Sequence, residues 1–452
     1  MDETLSRHPK AANLVGRLLE TSVACLPFLA SLRERMLEDT GTRLMDWVDH
    51  LVVPKSQIAD EDLVAVGFET IGDHVPLYRG SQCCAWHHRE GLFPVVLVSD
   101  QKALAVGIGA ESASHFLAAH RFECEISGTP GGPIRMATVV ETDGARLTVV
   151  ERHGCRDFVP PEVAAEQIVA ARFHAERFRC RRREFADVQA GLDHAASLFD
   201  LAAASLGQDW ACDLFFASER WYWQHRNRAA RIQKVRQDQL GLGWANHDHH
   251  TYRCSREHFA GLIALLERMG FRCRERFYGG ADAGWGAQVL EQPEVGVVIF
   301  ADVDLSPREV TGDFAHQGLD AKQELGTVGL WCALHGEAIL QAGLHHLECQ
   351  FDFDAARSQL AAEGITTMRP FTDFDYLKQA FTEGEVWRVD PIRIEAAVTR
   401  GAISKTQAKR FAEQGAIGSH LEILQRDEGY KGFNQTGISE IIRETDPRLA
   451  QS

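Results

Sequence analysis

Apolar residues follow helical spacing in some stretches of the chain and strand-like alternation in others. Residues 11–39 have helical spacing with a break near Pro27, which predicts a helical N-terminal segment over 1–44. Strand-like runs fill 45–155, with one short acidic helix candidate after the first of them. Helical spacing returns over 156–244. The first half of the chain therefore predicts one mixed module between two helical segments.

A second mixed stretch, 245–382, begins at the histidine-rich sequence NHDHHTYRC. Ser255 is the expected N-cap of the amphipathic helix that follows, and Gly270 stands where that helix should end. Residues 383–452 are predicted to be mostly helical, around the glycine-containing loop GYKGFNQTGIS. The pattern predicts an α+β protein. Two βαβββ modules, a candidate divergent repeat, form a curved mixed sheet with helical N-terminal, inserted and C-terminal segments.

Composition narrows the class of protein. The 452-residue chain has a formal net charge of −16, which argues against binding to nucleic acids or anionic membranes. No apolar run approaches the length of a membrane span, and the polar, acidic N-terminus is unlike a signal peptide. Eleven scattered cysteines include no C-x-x-C pair. We therefore expect a cytoplasmic enzyme with reduced cysteines.

Two histidines that each follow an aspartate open equivalent strands of the two modules. These are His50 in VDHLVVP and His249 in HDHHTYRC. A carboxylate late in the second module, Glu348 in LHHLECQFDF, would complete a two-histidine, one-carboxylate set. Such a set leaves metal positions open and is the usual way to hold Fe(II) for oxygen chemistry. Alternation places Arg253 on the same strand face as His249, where it could bind an anionic substrate.

Two ligand assignments stay open at this point. His250 is adjacent to His249, and a register shift of one residue would exchange the two. Glu337 competes with Glu348, although its segment, LHGEAILQAG, has the spacing of a helix. The chain contains no H-E-x-x-H, G-x-S-x-G or Walker A motif, so zinc peptidase, serine hydrolase and P-loop chemistry have no support.

Paired βαβββ units with these residues resemble the vicinal-oxygen-chelate superfamily, and within it the 2-oxoadipate dioxygenase/decarboxylase (hydroxyglutarate synthase) family. DHHTYRC is similar to that family's second ligand strand, which also has an arginine four residues after its histidine. DHLVVP is similar to the first ligand strand and HHLECQFDF to the glutamate strand, while GYKGFNQTGIS resembles a loop that covers the site. The chain departs from the family at Pro54, where the first ligand strand of the family has an arginine.

The resemblance implies an Fe(II)-dependent dioxygenase or hydroxylase that acts on a small 2-oxo or hydroxy acid, with or without decarboxylation. It implies Fe(II) bound by His50, His249 and Glu348, and a substrate carboxylate paired with Arg253. His346 and Gln350 would hydrogen-bond the substrate or support the metal ligands. The alternatives are an isomerase or lyase of the same superfamily that uses Zn, Mn or Ni without O₂, with His346 or His250 as a fourth ligand, and a non-catalytic small-molecule binding protein. The sequence does not indicate an oligomeric state.

Overall fold

Two mixed β-sheets with helices packed against them make up the computed structural model, which describes residues 6–77, 80–280 and 283–434 together with Asp446 and Arg448. This is the α+β class that the sequence predicts.

The first half of the chain contains the N-terminal helices, the first sheet and the inserted helices. In chain order the elements are α1 (Pro9–Cys25), α2 (Pro27–Thr40), β1 (Val48–Pro54), α3 (Asp60–Val64), β2 (Phe68–Pro76), β3 (Gln82–His88), β4 (Val95–Ser99), β5 (Leu104–Gly109), α4 (Ala113–His120), β6 (Ile134–Glu141), β7 (Ala145–Arg152), α5 (Ala165–Arg179), α6 (Val188–Leu206), α7 (Gln208–Gln224) and α8 (Arg228–Gln239).

The second half contains the second sheet and its connecting helices. Its elements are β8 (His247–Arg253), α9 (Phe259–Arg268), β9 (Arg272–Tyr278), β10 (Trp285–Gln292), β11 (Val297–Asp304), α10 (Thr327–His335), β12 (His346–Gln350), α11 (Phe353–Ala362), β13 (Thr372–Phe374), β14 (Leu377–Phe381), β15 (Glu385–Trp387), α12 (Pro391–Thr399), α13 (Lys405–Gln414) and β16 (Ala416–Arg426).

The two sheets share one topology. The strand order is β2-β3-β4-β1-β5-β7-β6 in the first sheet and β9-β10-β11-β8-β12-β16-β14-β13 in the second, with β15 added beside β16. In each sheet the opening strand, β1 or β8, is parallel to the last strand of its own unit and antiparallel to the first strand of the next unit. Each predicted module is thus a pair of βαβ-containing units joined through their first strands.

The C-terminal segment is less helical than the sequence predicts. Two helices, α12 and α13, are followed by the strand β16, which lies in the middle of the second sheet between β12 and β14. Its sequence, AIGSHLEILQR, alternates: Leu421 and Ile423 enter the main hydrophobic core, while His420 and Glu422 face the other way. Because both faces of β16 are buried, apolar and polar residues do not alternate between a buried and an exposed face, and the sequence did not indicate a strand here.

The inserted helices cover the back of the second sheet. Phe216 of α7 contacts the rings of His250 and Tyr252 on β8, with centroid distances of 5.7 and 6.3 Å. Burial of this face against helices leaves the opposite face of β8, β12 and β16 to line a cavity. Among the described residues no single helix is long and apolar enough to cross a membrane; the pair α1 and α2, bent by 116°, passes by length and composition only.

A charged histidine ties the first sheet to the inserted helices. His153, just after β7, lies 2.9 Å from Asp213 of α7 through Nδ1 and 3.1 Å from Glu151 through Nε2. Burial lowers the pKa of His153, but the hydrogen bonds with Asp213 and Glu151 outweigh it and raise the pKa from 6.5 to about 10.

Because this pKa is raised in the folded state, the stabilisation is fully present below about pH 6.5 and is lost as the pH rises through about 10. We expect His153→Gln to lower the free energy of unfolding by roughly 1–3 kcal/mol at pH 6. Denaturant titrations should show this deficit shrinking between pH 7 and 10. The exposed His115 of α4 supplies the matched control, His115→Gln. A deficit that stays constant to pH 10 would contradict the charged state of His153.

Candidate metal centre

Strand register gathers four side chains that could bind a metal ion on one face of the second sheet. Glu348 of β12 pairs with His249 across the antiparallel contact with β8, and with Glu422 across the parallel contact with β16. These three residues form one row across three adjacent strands. His346, two positions before Glu348, lies on the same face and pairs with Thr251.

The side chains of this row meet at contact distance. His249 Nε2 lies 2.7 Å from Glu348 Oε2 and 3.9 Å from Glu422 Oε2. His346 Nε2 lies 2.9 Å from Glu422 Oε2. All four side chains are buried, and Glu348 is fully so. His249, His346 and Glu422 together can present three ligand atoms to one ion, as can Asp248, His249 and Glu348.

The electrostatics of the cluster favour a bound cation. Burial raises the pKa of Glu348 well above its usual value, and the neighbouring Glu422 raises it further. Burial also lowers the pKa of His346 to about 3, so this imidazole is neutral and cannot offset the carboxylates. Both carboxyl oxygens of Glu348 are buried, and Oε2 lies 2.7 Å from His249 Nε2. Neutral imidazoles and carboxylates are suitable ligands for Fe(II), Zn(II) or Mn(II), so these residues fit such an ion.

Residues behind the cluster orient its ligands. Asp248 Oδ1 lies 3.3 Å from His249 Nδ1, which leaves Nε2 of that ring for a metal. Arg426 donates to both oxygens of Asp248 at 3.1 Å, and Gln350 donates to Oδ2 at 3.1 Å. Burial opposes ionisation of Asp248, but Arg426 holds its pKa below the usual range. The histidine is therefore held by a charged, fixed carboxylate.

The cluster lies in a small cavity of about 30 Å³ with an aromatic wall. The rings that line it are Phe277, Trp285, Phe300, Phe381 and Phe433. Phe433 belongs to the predicted covering loop, and its ring lies 5.3 Å from that of His249. Residues 435–439 of the same loop lie outside the described residues. An aromatic lining of this kind excludes water from the metal-binding side chains.

Arg253 and Asp302 line the same cavity beyond Thr251. They are register partners on the parallel strands β8 and β11. Arg253 is 1% exposed, and its Nε and Nη1 have no hydrogen-bond partner among the described residues. Burial raises the pKa of Asp302 to about 8, although Arg253 opposes this shift. The cavity thus carries a buried cation with unused hydrogen-bond donors.

The structure brings together His249, Glu348, His346 and Arg253 of the predicted site. His346, expected to contact the substrate, lies among the candidate ligands instead. Gln350 points away from the cavity and supports Asp248. Of the two alternatives, His250 faces the inserted helices, where Arg220 Nη1 approaches its Nε2 at 3.3 Å. Glu337 accepts from the amide and hydroxyl of Ser255, so neither of these two residues joins the cluster.

His50 does not join the cluster either, which corrects the expected pairing of His50 with His249. It lies on the first sheet and lines a separate small cavity, together with hydrophobic residues, Arg146 and Thr148. Its ring covers Gly107, where an added Cβ would come within 2.3 Å of the imidazole. His50 Nδ1 lies 2.6 Å from Asp49 Oδ2, and the ring packs edge-on against Phe158. The prediction failed because the two opening strands belong to different sheets.

The surroundings of His50 nevertheless repeat those of His249. In each sheet a register shift makes the preceding aspartate the extra residue of its strand. Arg152, at the end of β7, forms an ion pair with Asp49. Arg426, at the end of β16, forms the equivalent ion pair with Asp248. What differs is the set of polar side chains on this face of the sheet. In the first sheet the register positions of Glu348, Glu422, His346 and Arg253 are occupied by Gly107, Thr148, Ala105 and Pro54. The first sheet keeps the framework without the ligands.

Glu422 is the residue that sequence reasoning missed. A signal was present: the tripeptide His-Leu-Glu occurs at 346–348 and again at 420–422. The two copies lie side by side in parallel register on β12 and β16. A search for repeated short motifs between strands, rather than between modules, would have found it.

No family model matches the chain, and no curated protein matches it. Solved structures that match include methylmalonyl-CoA epimerase from Mycobacterium tuberculosis (12% identity, 40% of this chain and 88% of that chain, TM-score 0.23). They also include a mutant of 4-hydroxymandelate synthase from Streptomyces coelicolor (13%, 88% and 98%, 0.29) and a mutant of glyoxalase I from Zea mays (10%, 24% and 43%, 0.19). With TM-scores this low, these matches carry no argument about ligands or reaction.

We expect His249→Ala, His346→Ala and Glu422→Gln each to abolish stoichiometric metal, because each removes one ligand atom of a three-residue set. Elemental analysis of protein purified without oxygen and reloaded with Fe(II) measures this. The matched control is His50→Ala, which should keep full metal content. Loss of metal in His50→Ala with the other three unaffected would refute the assignment to the second sheet.

Proposed function

We propose that the protein is a metal-dependent enzyme that uses Fe(II) and O₂ to oxidise a small carboxylic acid bearing a 2-oxo or hydroxy group. One observation carries the proposal: His249, His346 and Glu422 lie in the same cavity as Arg253, a buried arginine with unused donors. A two-histidine, one-carboxylate set leaves metal positions open. The guanidinium of Arg253 lies 5.8 Å from the ring centroid of Trp331, but its Nε and Nη1 have no acceptor among the described residues, which favours an anionic ligand.

An Fe(II) ion in this set would supply the redox chemistry that activates O₂ and would bind the 2-oxo or hydroxy acid group. The chain's own residues have other tasks. Asp248 fixes the ring of His249, and Gln379 Nε2 donates to Glu422 Oε1 at 3.2 Å, which favours the ionised carboxylate. Arg253 would hold a carboxylate of the substrate through its planar pair of donors. The aromatic wall would keep water from the reacting groups.

A test of this function loads the protein anaerobically with Fe(II) and screens 2-oxo and 2-hydroxy acids in an oxygen electrode. We expect O₂ uptake that depends on both iron and acid. The KM for the acid should rise by about tenfold in Arg253→Lys and by about a hundredfold in Arg253→Ala, because hydrogen bonds to charged groups are worth about 1.5–3 kcal/mol. Metal content should not change in either variant.

The matched control is Arg268→Ala, since Arg268 forms an exposed ion pair with Asp200 away from the cavity. An unchanged KM in Arg253→Ala would reject the substrate role of this arginine. Absence of O₂ uptake with every acid tested would reject the oxidative function.

A second function, an isomerase or lyase that uses Zn, Mn or Ni without O₂, is favoured by one feature. Glu348 offers a fourth donor, 2.7 Å from His249, and its ligand role stays a prediction. Four protein ligands would leave too few positions for both a chelating acid and O₂. Three would leave enough.

The variant Glu348→Gln separates the two functions. We expect it to keep full metal content, since Glu348 lies outside the set of His249, His346 and Glu422, and Gln379 donates a hydrogen bond that stabilises the anion of Glu422. Thermal melting and elemental analysis of Glu348→Gln and Glu422→Gln, measured side by side, provide the comparison. Loss of metal from both variants would favour the four-ligand site and the O₂-independent reaction.

A further inference from the structure

Arg253 and Asp302 lie on one wall of the cavity without forming an ion pair with each other. They are register partners on adjacent parallel strands and both line the cavity. Both are buried, Arg253 to 1% and Asp302 to 3% exposure. Among the described residues, no ion pair connects them, and Nε and Nη1 of Arg253 have no hydrogen bond. A buried guanidinium is costly unless a ligand completes its hydrogen bonds, and a ligand cation beside Asp302 would favour the ionised form of this carboxyl.

The carboxylate nearest in sequence to Asp302, that of Asp304, already accepts hydrogen bonds from the backbone. Asp304, two positions along β11, accepts from the backbone amides of Gly326, Val328 and Gly329 at 2.8–3.0 Å, at the start of α10. It therefore caps a helix and is not available to a ligand. Asp302 is left as the carboxylate that faces the cavity beside Arg253.

Arg253 and Asp302 would bind different chemical groups of a ligand. Arg253 offers donors in a planar fork, which suits a carboxylate. Asp302 would repel that carboxylate but would bind a cationic donor attached to the next carbon. The rings of Phe277, Trp285 and Phe300 line the same cavity, and aromatic faces stabilise an ammonium group. A ligand with a carboxylate and an ammonium on one carbon would pair both charges at once.

We propose that Arg253 and Asp302 bind the amino acid head group of the substrate, with its carboxylate on Arg253 and its ammonium group on Asp302. This rests on the proposed function, in which the other end of the substrate lies at the metal-binding row. The substrate class is then an acid with an oxo or hydroxy acid group at one end and an α-amino acid group at the other.

The test is a binding measurement that needs no turnover. Three five-carbon diacids, L-glutamate, L-2-hydroxyglutarate and glutarate, differ at the single position that Asp302 would contact. Isothermal titration of Zn(II)-loaded protein with each probe gives three values of Kd. We expect L-glutamate to bind at least about tenfold more tightly than glutarate, equivalent to about 1.4 kcal/mol, while L-2-hydroxyglutarate reports the binding of a hydroxy acid group at the metal.

Asp302→Asn is nearly isosteric and removes the charge that would hold the ammonium group. We expect this variant to lose the preference for L-glutamate, and Arg253→Lys to weaken all three probes while keeping the preference. Asp313→Asn, on the surface, is the matched control and should behave as the wild type. Thermal melting of each variant verifies folding, and the wild-type preference tests the proposal without any variant.

The outcomes separate this inference from the proposed function. Equal or tighter binding of glutarate by the wild type, no binding of any probe, or a preference that survives in Asp302→Asn would overturn the amino acid head group, whatever the oxygen electrode shows. A preference for L-glutamate that depends on Asp302, in a protein that consumes no O₂ with any acid, would support the inference and reject the oxidative function.

Discussion

Two carboxylates buried beside two neutral imidazoles are the constraint on which the second sheet depends. Glu348 and Glu422 lie on adjacent strands with the same partner, His249, within 3.9 Å. In a water-excluded cavity two such carboxylates cannot both ionise unless a cation neutralises them. The remainder of the site follows from this requirement: Asp248 orients the ring of His249, and Arg426, which forms an ion pair with Asp248, also opposes the rise that burial causes in the pKa of Glu348. A divalent ion bound by His249, His346 and Glu422 would neutralise this charge.

The first sheet has the same framework without the two buried carboxylates. It keeps the aspartate–arginine pair and the aromatic ring that packs on the histidine: Phe158 covers His50 at 5.1 Å, as Phe433 covers His249 at 5.3 Å. With Gly107 in the position of Glu348, the histidine fills the space above the glycine and becomes part of the packing. The framework is therefore a stable arrangement by itself. Only the side chains of His249, His346, Glu348 and Glu422 would turn this framework into a metal site.

Sequence reasoning predicted much of the fold and part of the site. Alternation and helical spacing gave the α+β class, the inserted helices and the strands of His249 and Glu348, because these signals are local. Strand pairing between distant segments is not local, and this is where the prediction failed. His50 was paired with the wrong sheet, and Glu422 was overlooked in a segment predicted to be helical. Both errors concern which strands become neighbours, which side-chain periodicity cannot specify.

The position of Glu422 has a physical consequence for assembly of the site. Its strand, β16, follows two helices and enters the sheet between β12 and β14, after every other strand has been synthesised. The row of His249, Glu348 and Glu422 therefore exists only when segments about 170 residues apart in the chain have met. A metal that binds all of them binds the folded chain and not the unfolded one, and its binding free energy adds to the stability of the folded state. The ion that neutralises the buried carboxylates would thus also hold the last strand in the sheet.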